Sequence, residues 1–185
     1  MRRVLGQAIA SFFDLLAGRP AHCFVEAGFR AKSRHARKEE GGSMIMTREQ
    51  ARKFASEWLP AWSGNDPDRL VSFYADDAFY LDPSVPGGVR GKPELLKYFR
   101  RLLAANPDWV WTQIEPIPME GGFLNKWHAR IPVGDRVVEC VGVCLVQFDD
   151  NGLIRRNEVY FDGTALFAAW KDFLAGRPRS SPRTS

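Results

Sequence analysis

The sequence predicts an α+β fold in which a curved antiparallel sheet wraps around N-terminal helices. Three observations carry this reading. Apolar residues recur at helical spacing between Ala51 and Phe99, with one short strand in between. The period switches to two from Trp109 onward, and Gly-containing turns divide the second half into consecutive strands. Helices followed by a meander is the α+β order, not the alternation of a parallel sheet.

The first helix starts at Thr47, where Gln50 three residues on completes a capping box. Ala51, Phe54, Ala55, Trp58, Leu59 and Trp62 form its apolar face, and Pro60 inside the pattern is expected to kink it. Ser63-Gly64-Asn65-Asp66 ends it, and Asp66-Pro67 caps a short second helix with Leu70, Val71, Phe73 and Tyr74 on its apolar side. Ala75-Asp76-Asp77 breaks that helix, Phe79-Tyr80-Leu81 suits a strand, and Asp82-Pro83 stops it. Pro86-Gly87-Gly88 turns the chain, and Pro93-Glu94 opens a helix carrying Leu95, Leu96 and Phe99. A strand follows from Trp109 to Glu115, ended by Pro116 and Pro118; further strands are expected at 123–133, 136–148 and 153–161. Gly134-Asp135 and Asp150-Asn151-Gly152 are the turns between them, and a closing helix spans 165–174.

The 185 residues suit a single domain with a real core, and 45% hydrophobic with 12% aromatic content is globular. The net charge of +4 hints at nucleic acid, but its distribution removes the hint. Residues 1–43 carry +4 and residues 176–185 carry +3, leaving −3 on 44–175. A mildly acidic body is a poor phosphate-binding surface, so no nucleic-acid partner is expected. Cys23, Cys140 and Cys144 form neither an even disulfide framework nor a C-x-x-C pair, which fits a reducing, cytoplasmic location. No G-x-G-x-x-G, phosphate loop or ligand-spaced Cys/His set is present, so no cofactor and no metal is expected.

Leu5, Ala8, Ile9, Phe12, Phe13 and Leu16 share one face of a possible helix, interrupted by Gln7 and Asp14, so neither a membrane span nor a clear secretory segment is expected. Arg2-Arg3 is a minimal twin-arginine hint, and 30–40 is polar, charged and aperiodic, as in a disordered segment. Lys38-Glu39-Glu40-Gly41-Gly42 requires a purine-rich coding run just before Met44 and Met46, as a ribosome-binding site would have. Residues 1–43 are therefore read as a disordered or mis-assigned extension, 44–175 as the domain and 176–185 as a disordered tail.

Phe73-Tyr74-Ala75-Asp76-Asp77-Ala78, Asp82-Pro83, Gly91 and Tyr98-Phe99, with Phe148-Asp149-Asp150-Asn151-Gly152-Leu153-Ile154 and Tyr160-Phe161-Asp162, resemble the nuclear transport factor 2-like superfamily, including SnoaL-like cyclases and ketosteroid isomerases. The resemblance covers roughly 47–174. It implies a cone closed around an apolar cavity, a small apolar ligand, and a homodimer formed through the sheet. Function does not follow from such a fold, which hosts enzymes, binders and transport factors.

In the isomerase register Asp82 falls on the general base, where desolvation would raise its pKa toward neutrality. Trp58 stands at the oxyanion-hole tyrosine and Cys144 at its aspartate, both weaker donors, which disfavours steroid isomerisation. The Arg-x-Asp pair of limonene epoxide hydrolase is missing from the strand at 137–146, disfavouring that activity too. A cofactor-independent isomerase or cyclase with Asp82 as base remains, beside a non-catalytic binding or interaction module. Phe54, Trp58, Trp127, Cys144, Asn157 and Phe161 are the expected ligand-binding residues, with Asn157 as the polar orienting group. The register turns Ala129, Ile131, Cys140, Gly142 and Val159 inward as well, and puts Arg130, His128, Glu158 and Tyr160 outside. His128 is a candidate partner for Asp82 only if it shares a face with the cavity, yet it neighbours Trp127, and strand neighbours point oppositely. Asp82 before Pro83 is also a normal strand terminator whose side chain accepts backbone N–H groups. Asp149-Asp150 before Asn151-Gly152 is read as a turn, not a metal site.

Overall fold

The computed structural model describes residues 45–176; the expectations for 1–43, for the tail beyond 176, and for Cys23 lie outside these residues. Helix α1 spans Arg48–Ser63 and α2 Pro67–Ser72; strand β1 spans Tyr74–Leu81 and β2 Val89–Arg90. Helix α3 covers Lys92–Ala105, then β3 Val110–Met119, β4 Gly122–Val133, β5 Arg136–Phe148 and β6 Ile154–Phe161 lead to α4 at Thr164–Leu174.

Local chemistry accounts for the starts. Thr47 Oγ1 accepts the Gln50 N–H while Gln50 Oε1 accepts the Thr47 N–H, closing the capping box of α1. Asp66 accepts the Arg69 N–H at the head of α2, with Pro67 in its first turn. Pro60 lies within α1, and the helix runs on to Ser63.

Strands order β2-β1-β6-β5-β4-β3 in one open sheet. The meander β3 to β6 is antiparallel, whereas β1 runs parallel to β6, so the first strand joins the last. Register shifts at Gln113/Glu115 and Gln147/Phe148 mark irregularities of the kind that bend a sheet over its contents. Helix α1 packs on β3 and α3 on β1 and α2. Trp109 Nε1 donates to the Trp62 carbonyl at 2.6 Å and the Trp111 N–H to Ser63 Oγ at 3.1 Å, tying β3 to the end of α1.

Two expected boundaries move. Ala75-Asp76-Asp77 is strand, because β1 begins at Tyr74, and both aspartates in it are exposed. Pro116 and Pro118 do not end β3, which continues to Met119; it is an edge strand, where a missing N–H costs no ladder bond. The short β2 was not anticipated. Gly142 has a specific duty: a Cβ there would sit 2.4 Å from the Trp127 ring, so only glycine lets that indole lie across β5.

Candidate functional site

Asp82 follows the last residue of β1 and is only 6% exposed. Oδ1 accepts the Ser84 N–H at 2.7 Å and the Val85 N–H at 3.2 Å, which forms the strand-ending turn. Oδ2 accepts the Tyr98 hydroxyl at 2.6 Å and the Tyr80 hydroxyl at 3.0 Å. Four donors thus occupy the roughly four lone-pair sites of a carboxylate. Among the described residues no Lys, Arg or His pairs with it. Burial raises the carboxyl above its ordinary pKa, and the bonds from Tyr98, Tyr80 and the backbone oppose that rise without cancelling it. Burial, then the Asp82 charge, also pushes the Tyr80 and Tyr98 hydroxyls up, so both stay protonated donors.

Asp82 lines a cavity of about 70 Å³. Trp58 and Trp62 from α1, Tyr80 from β1, Trp111 from β3 and Trp127 from β4 wall it, with Trp170 of α4 closing over. Cys144, Asn157, Val159 and Phe161 line it from β5 and β6. Ring planes meet at 80° for Trp58–Trp62 and 71° for Trp111–Trp127, so the indoles stand as walls, not as a stack.

Asn157 donates to the Tyr74 hydroxyl at 2.8 Å, while its Oδ1 is buried with no partner. The Trp111 Nε1–H is likewise buried and unpartnered, and the Trp58 Nε1–H lies beside the Tyr74 hydroxyl without a well-formed bond. Cys144 reaches the Asn125 carbonyl at 3.8 Å, and burial pushes its thiol up to about 12, so it is a packing residue rather than a nucleophile.

Of the residues expected from sequence, Asp82, Trp58, Trp127, Cys144, Asn157 and Phe161 come together at this cavity. Phe54 does not. It packs at the other end of the sheet against Phe148 at 4.8 Å and Phe73 at 5.8 Å, because its helical position points one turn away from Trp58 and Trp62. His128 faces outward, 3.6 Å from Glu139, and has no access to Asp82. Glu158 lies on the outer side of β6 but is only 8% exposed, covered by Arg156 and by the Tyr160 hydroxyl at 2.6 Å. Tyr80 and Tyr98 were missed. Tyr80 was within reach, since it sits two residues before Asp82 in an extended segment and so on the same face; Tyr98 is brought in only by the packing of α3. Among the described residues no group of three His, Cys, Asp or Glu side chains is placed to hold a metal ion, and no helix is long and apolar enough to cross a membrane.

An open sheet bent over helices, enclosing an aromatic cavity with one buried carboxylate, defines a nuclear transport factor 2-like cavity domain. More narrowly, the chain belongs to the SnoaL-like domain family, whose model matches residues 55–157. A SnoaL-like protein of unknown function from Burkholderia thailandensis is 23% identical with a TM-score of 0.55, covering 65% of this chain and 100% of that one. A Catenulispora acidiphila protein with a ketosteroid isomerase-like fold, solved in complex with trimethylamine, is 16% identical with a TM-score of 0.58, covering 68% and 94%. A nuclear transport factor 2-like protein from Exiguobacterium is 17% identical with a TM-score of 0.51, covering 59% and 98%. These likenesses concern the fold. No protein of curated function matches this chain in sequence.

Proposed function

We propose that this protein holds one small molecule, mainly through apolar contacts, in the indole-walled cavity, with Asp82 as the polar group that selects it. The observation that carries the reading is a buried carboxylate on a largely apolar, indole-rich wall. A desolvated charge is expensive to keep, and such pockets with few polar groups are the usual form of a ligand site. The cavity limits the ligand: at about 15 Å³ per water-sized occupant, it has room for about five heavy atoms without rearrangement. The trimethylamine bound to the Catenulispora relative supports a ligand of that scale.

A catalytic form of the reading makes Asp82 the general base of a cofactor-independent isomerisation or cyclisation. Its raised pKa supports this, and the longer bond from Tyr80, 3.0 Å against 2.6 Å from Tyr98, is the one a substrate proton would replace. Native mass spectrometry of protein purified without denaturation, followed by Asp82→Asn, tests both forms. A small copurifying molecule that the variant binds but no longer converts supports catalysis. Unchanged turnover rejects the base, and a wild-type chain that retains and accepts no small molecule rejects the cavity reading.

A second role is favoured by one feature, an apolar stripe on the outer sheet face. Val137, Val141 and Tyr160 are about half exposed there, beside Val143. We infer that a second copy covers this face, since pairing through the sheet buries the stripe. Light scattering should report a dimer that Val141→Glu converts to a monomer; a monomeric wild type would overturn it.

A further inference from the structure

The geometry points to a small, fully or nearly fully methylated ammonium cation as the ligand class of the cavity, seated among the indoles beside Asp82. The inference rests on the reading that the cavity holds a ligand, and adds that ligand's charge and shape.

The Asp82 charge lies in an aromatic enclosure with no counter-charge among the described residues. Buried charges in proteins are paired. Protonating Asp82 would remove the charge, but a carboxylic acid must release one of the four donors that now fill its lone pairs. The donor set therefore selects the anion, and leaves compensation to something in the cavity.

The same saturation decides which cation. A primary ammonium carries three N–H groups that need acceptors, and the wall offers one unpartnered side-chain acceptor, Asn157 Oδ1, beside a carboxylate that four donors already share. A divalent metal needs several oxygen ligands, and beside this carboxylate, already filled by four donors, the wall's one unpartnered buried side-chain oxygen among the described residues is Asn157 Oδ1. An alkylated ammonium needs neither. Its charge spreads over methyl groups that lie against indole faces, where the ring quadrupole attracts a cation. Near-perpendicular indoles from α1, β3 and β4 surround such an ion on several sides. A tetrahedral ion of about five heavy atoms also matches the room available. The wall also carries the unpartnered Trp111 Nε1–H and Asn157 Oδ1, and that one acceptor suits the single N–H of a trimethylated ion.

Calorimetric titration of the full chain with tetramethylammonium chloride, set against tert-butanol as a neutral probe of similar size, tests this, with sodium chloride controlling ionic strength. Tetramethylammonium is expected to bind the wild type at least about tenfold more tightly than tert-butanol, and to shift the indole N–H resonances. Asp82→Asn should abolish that preference, bringing the cation's affinity down to that of tert-butanol. Should Asp82→Asn misfold, Trp111→Leu on the edge strand replaces it, and must weaken the cation more than the alcohol. Equal affinity for both probes, or a preference that survives these variants, overturns the inference while sparing the cavity reading. Binding of neither probe overturns the cation and counts against the cavity itself.

Discussion

The turn after β1 and the turn after β5 are built alike and behave oppositely. In each, an aspartate directly after the strand accepts two backbone N–H groups on Oδ1: Ser84 and Val85 for Asp82, Asn151 and Leu153 for Asp149. Asp149 stands in water, and its backbone bonds hold its pKa below the usual carboxylate range. Asp82 is enclosed, and burial outweighs four hydrogen bonds to raise it. Local turn chemistry is the same in both; the dielectric around the carboxylate separates a structural group from a functional candidate.

The largest expected effect separates the two turns by stability. Asp82→Ala strands two buried phenol hydroxyls and two backbone N–H groups, and should cost about 2–4 kcal/mol in denaturant unfolding. Asp149→Ala leaves its N–H groups to water, so the midpoint should hardly move; equal losses would break the comparison. Next, Gly142→Ala tests the walls around the buried turn. A methyl group 2.4 Å from the Trp127 ring and 2.7 Å from the Tyr160 carbonyl has nowhere to go, and overpacking of this kind costs about 1–3 kcal/mol. Trp127 should also lose its fixed environment in fluorescence and near-ultraviolet dichroism.

Smaller, but sharper in sign, is the response to pH. Asp82 has a folded pKa above its unfolded one, so the folded state binds more protons across that window, and its contribution to stability falls as pH rises through it. Asp149 has a folded pKa below its unfolded one, so its contribution is present above the ordinary value and lost on acidification. The phenols facing Asp82, Tyr80 and Tyr98, are pushed up by burial and do not titrate in this range. Denaturation at a series of acidic pH values should therefore show the gap between wild type and Asp82→Asn widening as pH falls, and the gap to Asp149→Asn narrowing. Parallel lines would remove the distinction. The smallest effect concerns Cys144: with its thiol pushed up to about 12, it should resist alkylation at neutral pH in the native fold, and react once the chain is unfolded. Peptide mass spectrometry reads this site separately from half-buried Cys140.

Much of the fold was legible because it is written in short-range chemistry. The Thr47–Gln50 capping box, the Asp66-Pro67 helix start and the glycine turns each act within a few residues, and each forms as expected. The period-two pattern of β4 and β5 also told inside from outside, setting Trp127, Ala129 and Ile131 in the core and His128 on the outer face. Errors arose where a local rule met a long-range exception. Pro116 and Pro118 stop a strand only when its N–H side is paired, and β3 is an edge. Phe54 shares a helical stripe with Trp58, but a stripe spans more length than one cavity.

By itself, then, the sequence determined the element types, the inward faces and the acid at a strand end, because spacing, capping and turn propensity depend on neighbours in the chain. It was silent on the phenol of Tyr98 reaching that acid from sixteen residues away, on β1 lying beside β6, and on the carboxylate forming no ion pair among the described residues. Those depend on which surfaces meet when helices and sheet pack, and burial, which sets the charge state of Asp82, exists only once they have.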